Sequence, residues 1–80
     1  MENFGNEFDV ELDARQLDCP LPVLRTKKAL NSLISGQVLC VRATDPGSVR
    51  DFQAFSKQTG HPLLDFKEAD GEFIFILEKK

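Results

Sequence analysis

The stretch Cys19-Pro20-Leu21-Pro22 decides how the chain is organised, because a cysteine stands directly before two closely spaced prolines. Proline is tolerated in the first turn of a helix, where its missing N–H would have no intrahelical partner. Residues 23–34 have helical periodicity, so we expect Cys19 at or next to the N-cap, Pro20 at the first helical position and Pro22 within the first turn. A helix N-terminus favours a thiolate through its free N–H groups and its dipole. The sequence therefore predicts a positioned and activated thiol at Cys19.

Composition and charge are those of an ordinary soluble globular domain. The chain has 80 residues, of which 41% are hydrophobic, and a formal net charge of −3. This acidic balance argues against broad nucleic-acid binding, and no stretch approaches the length of a membrane span. We therefore expect one domain over residues 8–80 after a flexible start at residues 1–7. That start lacks the pattern of a signal peptide, so we expect the protein in the cytoplasm. We also expect a monomer.

Apolar periodicity predicts four strands and two helices in the order β-α-β-α-β-β. The predicted strands cover residues 8–12, 37–44, 63–67 and 73–77, and the predicted helices cover about 20–35 and from about 48 to 59. Gly36 and Gly60 are expected to end the helices, and Asp70-Gly71 predicts a tight hairpin turn. The second and fourth strands are nearly all apolar, which is typical of central strands. The prediction is an α/β (α+β) two-layer sandwich with a mixed four-stranded sheet and both helices on one face.

The same periodicity assigns an inner face to each helix. In the first helix this face comprises Val23, Thr26, Leu30, Leu33 and Ile34. In the second helix it comprises Val49, Phe52, Phe55, Ser56 and Thr59. Two N-caps are possible for the second helix: Asp45, or Ser48 with Asp51 as a capping-box-like pair.

Other residues that could carry chemistry have weaker support. Cys40 lies within a continuous apolar strand and is expected to pack as a small buried hydrophobe. The two cysteines lack C-x-x-C spacing, so the sequence supports neither a zinc site nor a thioredoxin-type pair, and we expect no metal. A catalytic pair of Cys19 and His61 is conceivable, but His61 is better explained as a turn residue that helps to cap the second helix. Asp18 would raise the pKa of the Cys19 thiol, and we expect the helix N-terminus to outweigh it.

A candidate docking surface lies on the outer side of the first helix. Leu21 and Leu24 fall away from the predicted core face and share the outer side with Arg25 and Lys28. Leucines beside a reactive thiol, bordered by cations, suit an acidic protein partner. Single exposed leucines are also common on surfaces without a function, so the sequence leaves both interpretations open.

The order of these motifs resembles the TusA-like (SirA-like) sulfur-carrier family over residues 8–77. The matching segments are Leu12-Asp13, Leu17-x-Cys19-Pro20-x-Pro22, Lys27-Lys28-Ala29-Leu30, Thr44-Asp45-Pro46, Asp51-Phe52 and Gly60-His61. One residue departs from the family pattern, since Gln16 stands where the family usually has glycine.

The resemblance implies a fold similar to the C-terminal domain of bacterial translation initiation factor three, with strand order 1-2-4-3 and the last strand antiparallel to the others. It implies that Cys19 accepts sulfane sulfur as a persulfide, without a cofactor, as a co-substrate of partner enzymes more than as an enzyme. The implied donors are a pyridoxal-phosphate cysteine desulfurase or a rhodanese. The implied acceptors are the complex that leads to 2-thiouridine in tRNA, proteins of molybdenum-cofactor pathways, and DsrE/TusD-type proteins, including those of sulfur oxidation.

Two other functions compete with sulfur transfer. A thiol redox regulator would cycle Cys19 through a sulfenic acid or a mixed disulfide, but Cys40 in an apolar strand is a poor resolving cysteine. A non-enzymatic protein or RNA interaction module would not need the thiol. The acidic charge and the lack of exposed aromatic residues count against RNA, so we expect no direct nucleic-acid or membrane binding.

Overall fold

Residues 8–80, described by a computed structural model, alternate strands and helices in the predicted order. The elements are β1 (Val10–Ala14), α1 (Leu21–Asn31), β2 (Val38–Ala43), α2 (Ser48–Thr59), β3 (Leu63–Ala69) and β4 (Glu72–Glu78). Neither helix in this part of the chain is long and apolar enough to cross a membrane. The predicted flexible start at residues 1–7 lies outside the described residues, and the assignment of residues 8–80 to one domain stays a prediction.

The four strands form one mixed sheet in the order β1-β2-β4-β3, which confirms the expected topology. β1 runs parallel to β2, whereas β4 is antiparallel to both β2 and β3. Strands β2 and β4 are central, which explains their nearly continuous apolar sequences. β1 begins and ends two residues later than predicted. Because side chains along a strand alternate between its two faces, Ala14 lies on the same side as Leu12 and joins the core.

The hydrophobic core lies between the sheet and the two helices, which pack on the same face of it. Phe52 of α2 and Phe75 of β4 are fully buried and stack with ring centroids 4.2 Å apart. Phe55 is also buried, so the predicted inner face of α2 is confirmed at its two aromatic residues. The other buried members of this core are Ala14, Leu30, Leu39, Val41, Ala43, Phe73 and Leu77.

The first helix ends at Asn31, about one turn before its predicted end. Asn31 and Ser32 have side chains that compete for backbone hydrogen bonds and so favour helix ends and turns. Ile34 therefore lies beyond the helix and is 70% exposed, so its assignment to the core face was wrong. Gly36 lies in the turn that follows and is not the residue that ends the helix.

The other two turns follow the predicted chemistry. Gly60 ends α2 in the left-handed conformation, with φ of 83°. Asp70 and Gly71 form a two-residue hairpin loop with φ of 54° and 79°, as a type I′ turn requires. The loop pairs Ala69 with Glu72 and fixes the register of β3 against β4.

Candidate functional site

Cys19 lies where α1 begins, and the start of α2 lies beside it because β1 and β2 are parallel. The helices that follow two parallel strands begin at the same edge of the sheet. This edge carries Cys19 before α1 and Asp51 in the first turn of α2. The Cys19 thiol donates a hydrogen bond to Asp51 Oδ2, with Sγ and Oδ2 2.6 Å apart. The topology thus joins a thiol and a carboxylate that are 32 residues apart in the chain.

The first turn of α1 has fewer free backbone N–H groups for the Cys19 sulfur than the start of a helix usually has. Pro20 is the N-cap residue, so its predicted place at the first helical position is wrong by one residue, and Pro22 lies in the first turn as expected. Cys19 lies next to the N-cap, which confirms its predicted placement. Neither proline has an N–H, and the N–H of Leu21 donates to the carbonyl oxygen of Asp18 at 2.8 Å. The prolines therefore shape the helix start and remove donors from it.

The pKa of the Cys19 thiol is raised, although the sequence predicted an activated thiol. The largest cause is the hydrogen bond to Asp51, followed by desolvation and by the negative charges of Asp51 and Asp45. Asp18 is the opposing carboxylate expected from the sequence, but the carboxylate that contacts the sulfur is that of Asp51 in α2. In the free protein, these contacts favour the protonated thiol of Cys19 over its thiolate.

An open groove of about 200 Å³ runs beside Cys19, between α1 and α2. Its lining comprises Cys19, Pro20, Val23, Asp51, Ala54, Phe55 and Gln58. Asp51 is the only charged residue in this lining, and Cys19 is exposed. The groove is smaller than a typical small-molecule pocket, so it does not enclose a substrate of ordinary size.

Cys40 and His61 are not part of this site. Cys40 is 3% exposed in β2, and desolvation raises its pKa to about 11, which confirms it as a buried hydrophobe. His61 follows α2 at the end opposite Asp51, and its Nδ1 accepts a hydrogen bond from the N–H of Lys80 at 3.0 Å. The conceivable pair of Cys19 and His61 is therefore not formed. Across residues 8–80, no group of three or more His, Cys, Asp or Glu side chains could hold a metal ion.

The role of Asp51 is the feature that sequence reasoning missed. The N-cap of α2 is Gly47, so both predicted caps, Asp45 and Ser48, were wrong. An aspartate in the first helical turn is typical of a capping arrangement, and that pattern concealed its contact with Cys19. The signal that could have revealed the contact is the parallel pairing of β1 and β2, which brings the starts of both helices together.

The loop before Cys19 has a left-handed residue at Gln16, the position where the resemblance noted in the sequence places a glycine. Gln16 has φ of 67°, and its N–H donates to the Thr44 hydroxyl at 2.8 Å. This left-handed conformation costs a residue with a Cβ about 1 kcal/mol, and the hydrogen bond to Thr44 offsets part of this cost. The loop therefore holds Cys19 at the edge of the sheet without the glycine.

The four residues of the candidate docking surface are all exposed on α1. They are Leu21, Leu24, Arg25 and Lys28, and we refer to them as the docking patch. Leu21 directly follows Pro20 of the groove lining, so the patch and the groove adjoin each other. The role of the patch in docking stays a prediction.

The chain is similar over most of its length to one group of proteins. The family model for the sulfurtransferase TusA matches residues 10–79. The sulfur carrier protein TusA of Allochromatium vinosum is 62% identical over 73 residues, which cover 91% of this chain and 96% of the relative. A putative sulfur carrier protein of Neisseria meningitidis serogroup A is 54% identical, with coverage of 86% and 93%. The crystal structure of a SirA-like protein from Desulfitobacterium hafniense has a TM-score of 0.78 at 29% identity, with coverage of 88% and 96%.

Proposed function

The chain belongs to the TusA family of sulfur carrier proteins, and we propose that Cys19 is the residue on which it carries sulfur. The observation that supports this assignment is the contrast between the two cysteines. Cys19 is exposed beside an open groove, whereas Cys40 is buried within β2. A carrier must present its sulfur to two different proteins in turn, and only an exposed thiol can do so.

Sulfur transfer to Cys19 exchanges one sulfur–sulfur bond for another. The Cys19 sulfur attacks the outer sulfur of a donor persulfide, and the bond between the two donor sulfurs breaks. The electron pair of the broken bond stays on the sulfur of the donor cysteine, and this sulfur takes up the proton that Cys19 loses. The products are a Cys19 persulfide and a donor thiol, so there is no net oxidation or reduction. An acceptor thiol then attacks the outer sulfur of Cys19–S–SH in the same way.

The partners in this proposal are proteins that bring their own active sites. We propose a cysteine desulfurase or a rhodanese as the donor, and a DsrE/TusD-type protein or another persulfide-accepting protein as the acceptor. The open groove supports protein partners, because it is too small to enclose a substrate. Both cysteines are free, and a carrier thiol has to stay reduced between transfers, which favours the cytoplasm as its compartment.

Incubation of the protein with a cysteine desulfurase, L-cysteine and pyridoxal phosphate should add about 32 Da, one sulfur atom, to Cys19. Intact-mass analysis should show the adduct, peptide mapping should place it on Cys19, and dithiothreitol should remove it. The Cys40 peptide of the same sample is the internal control and should be unmodified. Sulfur on Cys40, or an unmodified carrier beside a desulfurase that has formed its own persulfide, would refute the assignment.

The docking patch is the proposed contact surface for donor proteins. Leu21 and Leu24 are 43% and 54% exposed and lie near each other on α1, and neighbouring exposed apolar side chains are typical of protein contact surfaces. Arg25 and Lys28 border it and suit acidic side chains on a partner. Since the patch adjoins the groove, a protein seated on it would have its own reactive sulfur within reach of Cys19.

Combining Leu24→Asp with Arg25→Glu should slow sulfur transfer from the desulfurase about tenfold or more, because apolar and arginine anchors dominate protein interfaces. The time course of the mass adduct measures this rate. The electrostatic part of the loss should shrink at high salt, since exposed charges are screened over ~8 Å at physiological ionic strength.

A matched control combines Leu64→Asp with Lys57→Glu, which changes the net charge equally and lies outside both the docking patch and the lining of the groove. Leu64 is 52% exposed, and Lys57 lies in the last turn of α2. This control should transfer sulfur normally, and both double variants should react with iodoacetamide at the wild-type rate. Normal transfer by the patch variant would show that this side of α1 is only solvated surface.

A further inference from the structure

We propose that Asp51 selects the partners of Cys19: its carboxylate holds the thiol hydrogen in the free carrier and pairs with a positively charged side chain that a partner brings to the groove. The inference rests on the proposed role of Cys19 as the sulfur-carrying residue. It adds a specificity-determining residue and a chemical requirement on every productive partner, namely a cation beside the reactive sulfur.

The first observation is that the carboxylate is held in place before any partner arrives. Asp51 lies in the first turn of α2, and its N–H donates to the carbonyl oxygen of Gly47 at 3.1 Å. The next residue, Phe52, is fully buried and stacks on Phe75, so the helix cannot shift away from the sheet without disrupting the core. The 2.6 Å contact between Cys19 Sγ and Asp51 Oδ2 is therefore set by the fold.

The second observation is that Asp51 lacks a cation of its own. Among the residues that the structure describes, no lysine, arginine or histidine lines the groove. The ion pairs within residues 8–80 do not include Asp51; they join two arginines to three carboxylates, namely Arg15 and Arg42 to Glu11, Asp13 and Glu72. Within residues 8–80, the lining of the groove thus carries one negative charge, that of Asp51, and this carboxylate has no ion-pair partner.

This charge makes the groove discriminate between partners. A thiolate at Cys19 would place a second negative charge beside Asp51, so the free carrier disfavours the reactive form of its sulfur. A cation from a partner offsets the carboxylate and makes the thiolate easier to form at the moment of transfer. A partner that places an anionic side chain in the groove meets repulsion from Asp51 and from the thiolate, whereas acidic side chains over the docking patch do not, and such like-charge contacts are a common source of specificity.

Small disulfides of different charge test this selection without any partner protein. The probes are cystamine, which is cationic, dithiodiglycolate, which is anionic, and 2-hydroxyethyl disulfide, which is neutral. In each reaction the Cys19 sulfur attacks one sulfur of the probe, the disulfide breaks, and half of the probe leaves as a thiol. Mass spectrometry follows the formation of the mixed disulfide on Cys19.

Asp51→Asn should lower the rate ratio of cystamine to dithiodiglycolate about fivefold or more, the effect of one unit charge at ~4 Å in water. Comparing the variant with the wild type cancels the intrinsic reactivity of each probe. The variant should also react faster than the wild type with the neutral disulfide, because the carboxylate no longer disfavours the thiolate. A merely structural role of Asp51 would not change the preference for charge.

Two further variants make the test specific to the position of the charge. Asp51→Glu keeps a carboxylate in the groove and should retain most of the preference for cystamine. Asp18→Asn removes a charge from the residue next to Cys19 but keeps the hydrogen bond between Cys19 and Asp51, so it should change the ratio much less than Asp51→Asn does. The proposal is overturned if Asp51→Asn keeps the wild-type rate ratio, or if Asp18→Asn lowers this ratio as much as Asp51→Asn does.

This experiment is separate from the test of the proposed function. If the desulfurase adds no sulfur to the wild type while the preference for cystamine depends on Asp51, the sulfur-carrying role of Cys19 fails and the charge selection stands. If sulfur is added to Cys19 and the preference does not depend on Asp51, only the charge selection fails.

Discussion

Cys19→Ser should take up no sulfur from a cysteine desulfurase, while its thermal midpoint stays within about 4 °C of the wild type. A serine hydroxyl cannot form a persulfide, and the remaining thiol, Cys40, is buried with a pKa raised to about 11. Stability should change little because Cys19 is exposed and its side-chain hydrogen bond goes to Asp51, which a serine hydroxyl can also supply. Intact-mass analysis after incubation with the donor, together with thermal unfolding, measures both quantities.

The matched variant is Cys40→Ala, which removes the other thiol and leaves no unpaired polar group in the sheet. It should take up one sulfur atom like the wild type, although the loss of a buried side chain lowers its midpoint. Sulfur on the Cys19→Ser variant would make Cys40 the acceptor. A large drop in the midpoint of Cys19→Ser would instead identify Cys19 as a structural cysteine.

The features that local patterns determine could be predicted from the sequence. Two prolines after Cys19 mark a helix start, and the thiol lies next to the N-cap of α1. The turn chemistry of Gly60 and of Asp70-Gly71 is local as well, and both turns form as expected. The strand order 1-2-4-3 was not contained in any local pattern and was reached through the resemblance to a family.

The features that depend on neighbours from elsewhere in the chain could not be predicted in this way. The pKa of Cys19 is set by Asp51, which is remote in sequence and is brought to the sulfur by the parallel pairing of β1 and β2. Gln16 keeps a left-handed backbone because Thr44, at the end of β2, supplies a hydrogen bond to its N–H. In both cases the deciding contact crosses from the segment after β1 to the segment after β2.

Phe52→Ala should lower the free energy of unfolding by about 3–5 kcal/mol, the second large effect that we expect. Phe52 is fully buried and stacks on Phe75 with an interplanar angle of 17°, so it packs α2 against the central strand β4. An 80-residue domain has a total stability of only about 5–15 kcal/mol, so this variant should be close to unfolding. Urea titration monitored by circular dichroism gives the difference in free energy.

Two comparison variants make the Phe52 result interpretable. Phe66→Ala removes the same ring from an exposed position beside Phe75 and should lower the free energy of unfolding much less than Phe52→Ala does. Phe52→Leu leaves a smaller cavity, so it should stay folded and show an intermediate loss if Phe52→Ala does not fold. A loss below about 1 kcal/mol for Phe52→Ala would mean that α2 is held by other contacts. In that case the fold would not fix Asp51 beside Cys19 in the way that the selection of partners requires.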